Sequence, residues 1–266
     1  MEKKNIVVHK SLLYENEPYS VESMAVDEKQ GILALARFSE ERKRESLLEF
    51  WNIIGKPIFH LKTRKLGSGG VEALLWVNSY LISSHLDGSV HLHQLHHTDN
   101  VRIQVCPSPL WSLAAVRDNI FCAGSDSGAI FFLSLSNGKI TVEKTVNIGF
   151  GMRVLSLAAN AKIVAAGSID ALCLIGVEKS RILQTFQLPR SEQRKPTIVW
   201  CLGILSDEIL VSGDSRGCVS FWNMENGTIF QTIESHQADV LSLCIGNNWV
   251  YAAGVDPTIV RICSDQ

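Results

Sequence analysis

The chain has 266 residues, of which 46% are hydrophobic and 20% charged, and its 25 Lys and Arg against 27 Asp and Glu leave a net charge of −2. That apolar content can bury a sizeable core and excludes disorder over most of the length, while near-neutrality excludes a surface that broadly embraces a nucleic-acid backbone. Seven cysteines with no Cys-x-x-Cys pair fit a reducing compartment better than a disulfide framework.

The first residues, Met1-Glu-Lys-Lys-Asn5, carry charge but not the apolar run of a signal peptide. Asn5-Ile-Val-Val-His9 then reads as a strand with no repeat of its own. From residue 21 a short pattern returns six times: an apolar opener, a variable residue, a small or apolar residue, then Leu or Met. The copies are Val21-Glu-Ser-Met24, Val71-Glu-Ala-Leu74, Leu110-Trp-Ser-Leu113, Val154-Leu-Ser-Leu157, Val199-Trp-Cys-Leu202 and Val240-Leu-Ser-Leu243, with openers 50, 39, 44, 45 and 41 residues apart. Each copy predicts an inner strand. A second apolar run ending in a small residue follows, as in Ile120-Phe-Cys-Ala-Gly124, Ile163-Val-Ala-Ala-Gly167, Ile209-Leu-Val-Ser-Gly213 and Val250-Tyr-Ala-Ala-Gly254, and then a third run, as in Gly217-Cys-Val-Ser-Phe-Trp222.

Three or four short strands recurring about every 40 to 45 residues are the signature of a WD-repeat blade, and one blade cannot bury both its faces alone. The expectation is therefore an all-β fold, a WD40-type β-propeller over residues 21–263, either a six-bladed ring or an incomplete seven-bladed one. Residues 1–20 form an N-terminal segment before it and 264–266 a tail.

Departures from the pattern follow in chain order. Residues 39–46 stand where the first blade needs a tight turn and read as an exposed, extended loop. In the second copy His85, His91, His93, His96 and His97 cluster; His91 and His93 share one face of a strand, as two zinc ligands would, but a third and fourth ligand are missing from the pattern and polar edge histidines are the ordinary reading. Asn137-Gly138 and Asn226-Gly227 suit the two positive-φ positions of a type I′ hairpin. Residues 190–196 are a polar connector into the fifth copy, for which strands are expected at 199–205, 208–212, 218–222 and 228–233. The sixth copy ends after its third strand, so residues 6–8 are expected to pair beside 258–262 and close the ring, removing an open sheet edge.

Gly213-Asp-Ser-Arg-Gly217 matches the Gly-x-Ser-x-Gly elbow of serine hydrolases, which requires a strand-to-helix turn. A strand follows here, and the same turn recurs in other copies without the serine, so these residues read as a turn; Gly124-Ser-Asp-Ser-Gly128 reads likewise. No phosphate loop, metal set or cofactor motif is expected, and no membrane span. The buried His–Ser/Thr–Asp–Trp network of WD repeats is scattered: Trp51 and Trp222 hold the Trp place, followed by Asn52 and Asn223, while His236 and Asp256 belong to the sixth copy. Of the basic groups, Arg190, Arg194 and Lys195 are the candidate contact loop for a partner or RNA; Arg42-Lys43-Arg44 and Lys62, Arg64 and Lys65 read as solvated loop charge.

Several longer stretches are more specific. Val71-Glu-Ala-Leu-Leu-Trp76, Leu110-Trp-Ser-Leu-Ala114, Ala165-Ala-Gly-Ser-Ile-Asp170, Arg194-Lys-Pro-Thr-Ile-Val-Trp200, Gly213-Asp-Ser-Arg-Gly-Cys-Val-Ser-Phe-Trp222, Asn226-Gly-Thr228 and Ala238-Asp-Val240 resemble, in order, the family of cirhin. These are WD-repeat U3 small nucleolar RNA-associated proteins of the small-subunit processome. The resemblance implies a nucleolar, non-catalytic scaffold acting in pre-rRNA processing and 18S rRNA maturation, with a link to RNA polymerase I transcription. Its implied partners are other propeller and helical-repeat subunits of the processome, together with pre-rRNA and the U3 particle, and no small-molecule substrate. The family carries two tandem propellers, the first with seven blades, so six copies are one short of that ring. A substrate receptor of a cullin-RING ubiquitin ligase is the rival reading, but Trp51-Asn-Ile-Ile54 and Trp222-Asn-Met-Glu225 lack the Asp and Arg of the Trp-Asp-x-Arg signature such receptors usually carry.

Overall fold

Short alternating runs punctuated by Gly, Asp and Asn turns give antiparallel meanders. The computed structural model, which describes residues 19–39, 45–67, 69–95, 101–149, 151–190, 195–246 and 249–263, consists of them, and no helix occurs among those residues. Blade 1 comprises β1 (Ser20–Asp27), β2 (Ile32–Ser39), β3 (Glu45–Asn52) and β4 (Phe59–Gly67); blade 2 comprises β5 (Val71–Val77), β6 (Tyr80–His85), β7 (Ser89–His93) and β8 (Val101–Gln104). Blade 3 is built from β9 (Leu110–Arg117), β10 (Ile120–Ser125), β11 (Ala129–Ser136) and β12 (Lys139–Asn147), and blade 4 from β13 (Ser156–Ala159), β14 (Ile163–Gly167), β15 (Ala171–Gly176) and β16 (Arg181–Gln187). Blade 5 holds β17 (Val199–Ile204), β18 (Ile209–Asp214), β19 (Cys218–Asn223) and β20 (Ile229–Glu234). Blade 6 holds β21 (Val240–Ile245), β22 (Trp249–Gly254) and β23 (Ile259–Cys263). The chain is a six-bladed β-propeller in which sequence neighbours pair within each blade.

The core lies between blades, because each sheet is apolar on both faces. Five clusters of buried side chains join blades 1 and 2, 2 and 3, 3 and 4, 4 and 5, and 5 and 6. The inner strands β1, β5, β9, β13, β17 and β21 pack one against the next in that order, but β21 and β1 make no comparable contact. The arc is therefore open between blades 6 and 1 among the described residues.

The expected strands of the fifth copy fall within two residues of β17 to β20. Asn137 (φ 51°) and Gly138 (φ 72°) form the expected type I′ turn between Ser136 and Lys139. The second Asn-Gly is different: Gly227 has φ 72°, but Asn226 is not in the left-handed region. There the loop is longer, and Asn223 Oδ1 accepts hydrogen bonds from the backbone N–H groups of Glu225 (2.9 Å) and Asn226 (3.1 Å), an Asx-type closure that a two-residue turn leaves no room for. Residues 5–9, expected to close the ring, lie outside the described residues, as do most of the 39–46 loop, His96 and His97.

Candidate interaction surfaces

The connector from blade 4 to blade 5 holds the predicted contact loop. Arg190 is exposed and its guanidinium lies 2.6 Å from Asp170 Oδ2. Asp170 sits in a tight turn with φ 59°, and its other carboxylate oxygen accepts from the Thr197 N–H at 2.7 Å. The Thr197 hydroxyl donates in turn to the Pro189 carbonyl at 2.7 Å. Arg190 is thus tied into the clasp that fixes the entry to β17. Lys195 is exposed as well, and Arg194 lies outside the described residues. Because the Arg190 end of this ion pair is exposed, Arg190→Gln, which removes the charge without setting a second carboxylate against Asp170, is expected to change stability by less than about 1 kcal/mol, checked by urea unfolding.

His85 and His93 are not edge groups. His93 is 0% exposed and His85 4%. His93 occupies the place that Trp222 holds in blade 5: Ser83 Oγ lies 2.8 Å from His93 Nε2, as Ser212 Oγ accepts from Trp222 Nε1 at 2.8 Å. His85 Nδ1 faces the Gly70 carbonyl at 3.0 Å, so that nitrogen must carry the proton. Its Nε2 then accepts from the Ser83 hydroxyl (2.8 Å), which leaves His93 Nε2–H as the donor to Ser83. The chain of bonds needs a neutral His85 ring and engages both of its nitrogens together with Nε2 of His93. Among the described residues no group of three or more His, Cys, Asp or Glu is arranged to hold a metal ion.

His91 stacks against His85 with ring centroids 3.9 Å apart. Burial, and then the neighbouring His85, push the His91 pKa down to about 4, and burial lowers that of His85 as well. A histidine whose folded-state pKa lies below its unfolded value leaves extra protons to the unfolded chain in acid. Stability is therefore complete above about pH 6.5 and falls as pH drops toward 4. Thermal melts between pH 7.5 and 5 should show this fall, and His91→Gln should flatten it.

The scattered network of the sequence is also scattered in space. Blade 5 keeps its Trp–Ser half, and blade 6 keeps the His–Asp half, with His236 Nδ1 2.8 Å from Asp256 Oδ1. Hydrogen bonds from Thr258 and His236 hold the Asp256 carboxyl well below the usual carboxylate range. His236 Nε2 is buried without a partner, because β22 offers Ala252 where blade 5 offers Ser212. The Gly213–Gly217 segment is a strand-to-strand turn: Ser215 Oγ accepts from the Ile198 N–H at 3.0 Å, and Asp214 pairs with Arg216. Burial pushes the Cys122 and Cys201 thiols up to about 12, away from nucleophilic use.

A shallow depression of about 440 Å³ opens where the inner-strand ends of blades 1 to 4 converge, with Lys29, Trp76, Asn78, Arg117, Asp118 and Asn160 on its rim. Charges of both signs line it. Trp76 Nε1 is already spent on the Ala25 carbonyl at 3.2 Å, and no nucleophile–base pair converges there.

No family model matches the chain. The fold is that of the computationally designed Ika8 protein, with a TM-score of 0.68 at 18% identity over 92% of this chain and 71% of that one. By sequence, the chain is 24% identical over 248 residues to the human U3 small nucleolar RNA-associated protein 4 homolog, covering 90% of this chain. It is 26% identical over 278 residues to U3 small nucleolar RNA-associated protein 4 of Schizosaccharomyces pombe (96% of this chain), and 26% over 282 residues to that of Saccharomyces cerevisiae (97%). It spans only 35%, 38% and 36% of these relatives' own lengths. Along nearly all of its length, then, this propeller is similar to about a third of the U3 small nucleolar RNA-associated protein 4 chains of human and yeasts.

Proposed function

We propose that the chain is a non-catalytic assembly platform in small-subunit ribosome biogenesis, acting with the U3 small nucleolar ribonucleoprotein in pre-rRNA processing and 18S rRNA maturation. The observation that carries this reading is co-linear similarity to U3 small nucleolar RNA-associated protein 4 over 90–97% of the chain. A propeller presents loops and wide faces to partners rather than a single deep site, which suits a scaffold. Near-neutral charge supports contacts made mainly with proteins, the pre-rRNA being reached locally or through them. Nucleolar residence, processome subunits as partners and a link to RNA polymerase I transcription belong to the same reading.

Affinity purification from nucleolar extract, read by mass spectrometry and by blotting for U3 RNA, tests it. Processome subunits and U3 are the expected recovery. Ligase adaptor subunits in their place, with 18S precursors processed normally after depletion, would overturn it in favour of a ubiquitin-ligase receptor. Arg190→Glu with Lys195→Glu is expected to reduce this recovery; unchanged recovery would remove the loop as a contact.

A further inference from the structure

The inner strands all begin at the mouth of the propeller opposite the shallow depression, and they begin alike. The openers from Val71 to Val240 are 0–2% exposed. They seat on the blade before: a Cβ added to Gly124, Gly167 or Gly213 would sit 2.3, 2.7 and 2.7 Å from a methyl of Val154, Val199 or Val240. The residue after the opener does the opposite. Val71 pairs with His85 and Ala73 with Ser84, so Glu72 is left out of the ladder. Trp111 is skipped between Leu110 and Ser112, and Trp200 between Val199 and Cys201. Glu22 and Leu241 are skipped likewise, and in blade 4 Leu155 stands at this place just ahead of β13. A bulge frees its extra residue from pairing and re-aims the side chain, so one residue per blade is turned out around this mouth.

These residues divide by chemistry. Glu72 and Trp111 start the neighbouring strands β5 and β9, and Leu155 and Trp200 start the next two; all four are half-buried. The indoles are pinned at their N–H groups, Trp111 Nε1 donating to Asp126 Oδ1 at 3.0 Å and Trp200 Nε1 to Asp239 Oδ2 at 2.7 Å. What they have left to offer is the ring. Asp126 is also met by Arg153 at 3.4 Å. Glu72 has no counterpart to this: among the described residues its carboxylate makes no hydrogen bond or ion pair. Burial, and then the like charge of Glu22, raise its pKa. An incoming cation relieves both effects.

We propose that this mouth receives a basic peptide segment of a partner protein, its arginine guanidinium taken by Glu72 and Trp111 and a nearby apolar side chain laid on Leu155 and Trp200. A carboxylate beside an indole offers a guanidinium both a forked acceptor and a π face. Glu22 and Glu72 repel phosphate, which selects a protein segment over RNA. The site deepens the reading of the chain as an assembly platform and rests on it for the partner being a protein subunit.

The test uses the full chain with 15N-labelled tryptophan and, as probe, acetyl-Gly-Leu-Ala-Arg-Ala-Leu-Gly-amide, whose symmetry serves either peptide direction. Saturable shifts of the Trp111 and Trp200 indole signals are expected, while Trp76, at the opposite mouth, stays unmoved. Citrulline in place of arginine keeps the shape, loses the charge and should weaken binding about tenfold. Glu72→Gln, nearly isosteric and at a carboxylate with no partner to lose, should weaken the arginine peptide about tenfold and leave the citrulline peptide unchanged. The proposal falls if nothing saturates up to about 1 mM peptide, if the two peptides bind alike, or if Glu72→Gln preserves the difference between them. A decauridylate that shifts both indoles at lower concentration would make RNA the occupant and overturn it. Tighter peptide binding after alanine replaces Arg42, Lys43 and Arg44 would overturn it too, by making that stretch of the chain the occupant. Because only purified chain and peptide are used, failure here leaves the recovery of processome subunits, which tests the platform itself, untouched.

Discussion

Replacing Gly167 by alanine is expected to destabilise the propeller by about 2 kcal/mol, lowering its melting temperature by roughly 4–8 °C. The new methyl would sit 2.2 Å from Ser156 Oγ and 2.7 Å from Val199 Cγ1. Neither can yield easily: the Ser156 hydroxyl donates to the Val199 carbonyl at 2.9 Å, and Val199 is fully buried with a stiff β-branched side chain. The modest backbone advantage of alanine over glycine in a strand does not offset overpacking of this size. Ala253→Val provides the contrast. It adds more volume at the same register in blade 6, yet on an uncovered face, so a change within about 0.5 kcal/mol is expected. Urea unfolding of the two variants side by side checks the pair. Equal destabilisation would mean that blade 6 is covered as blade 4 is.

Trp222→Ala should be more damaging still, at about 4 kcal/mol. The indole is 1% exposed, stacks on Phe186 with centroids 5.7 Å apart and planes 13° from parallel, and donates to Ser212. Truncation removes contacts with blade 4 across the interface and leaves a buried hydroxyl without its donor. Trp222→Phe keeps much of the volume and loses the hydrogen bond, for an expected cost of about 2 kcal/mol. Trp51 holds the same place in the first copy, but it faces the opening, is half-buried, and donates to Glu49 at 3.1 Å. Trp51→Ala is therefore expected to cost about 1 kcal/mol. Guanidinium titrations of the three variants would show whether this ranking holds.

Much of this molecule is legible in one dimension because a blade is local. Its strands are consecutive, their turns are short, and Val/Leu-x-Ser-Leu followed by a small-residue run marks each inner hairpin. The pairing of openers with glycines is likewise readable as periodicity, although which glycine meets which opener emerges only when blades stack. Reading each histidine as an edge group went astray in blade 2, where His93 fills the Trp position. The signal was present, since His93 stands four residues after Ser89 and ten after Ser83, as Trp222 stands ten after Ser212. Arg190 is a candidate contact residue from its sequence, and its ion pair with Asp170, twenty residues earlier, forms only through a turn whose φ of 59° no composition rule supplies.

Repeat period, strand order, turn chemistry and the scattering of the polar network were determined by the sequence itself, since each depends on residues close together in the chain. Whether blade 6 packs on blade 1 among the described residues was decided only by the tertiary structure. Closure depends on small rotations accumulated over five interfaces, and no single residue encodes their sum. Val21 and Val199 open their copies identically, yet one is 55% exposed and the other 0%, because burial belongs to the neighbour that arrives and not to the residue that waits for it.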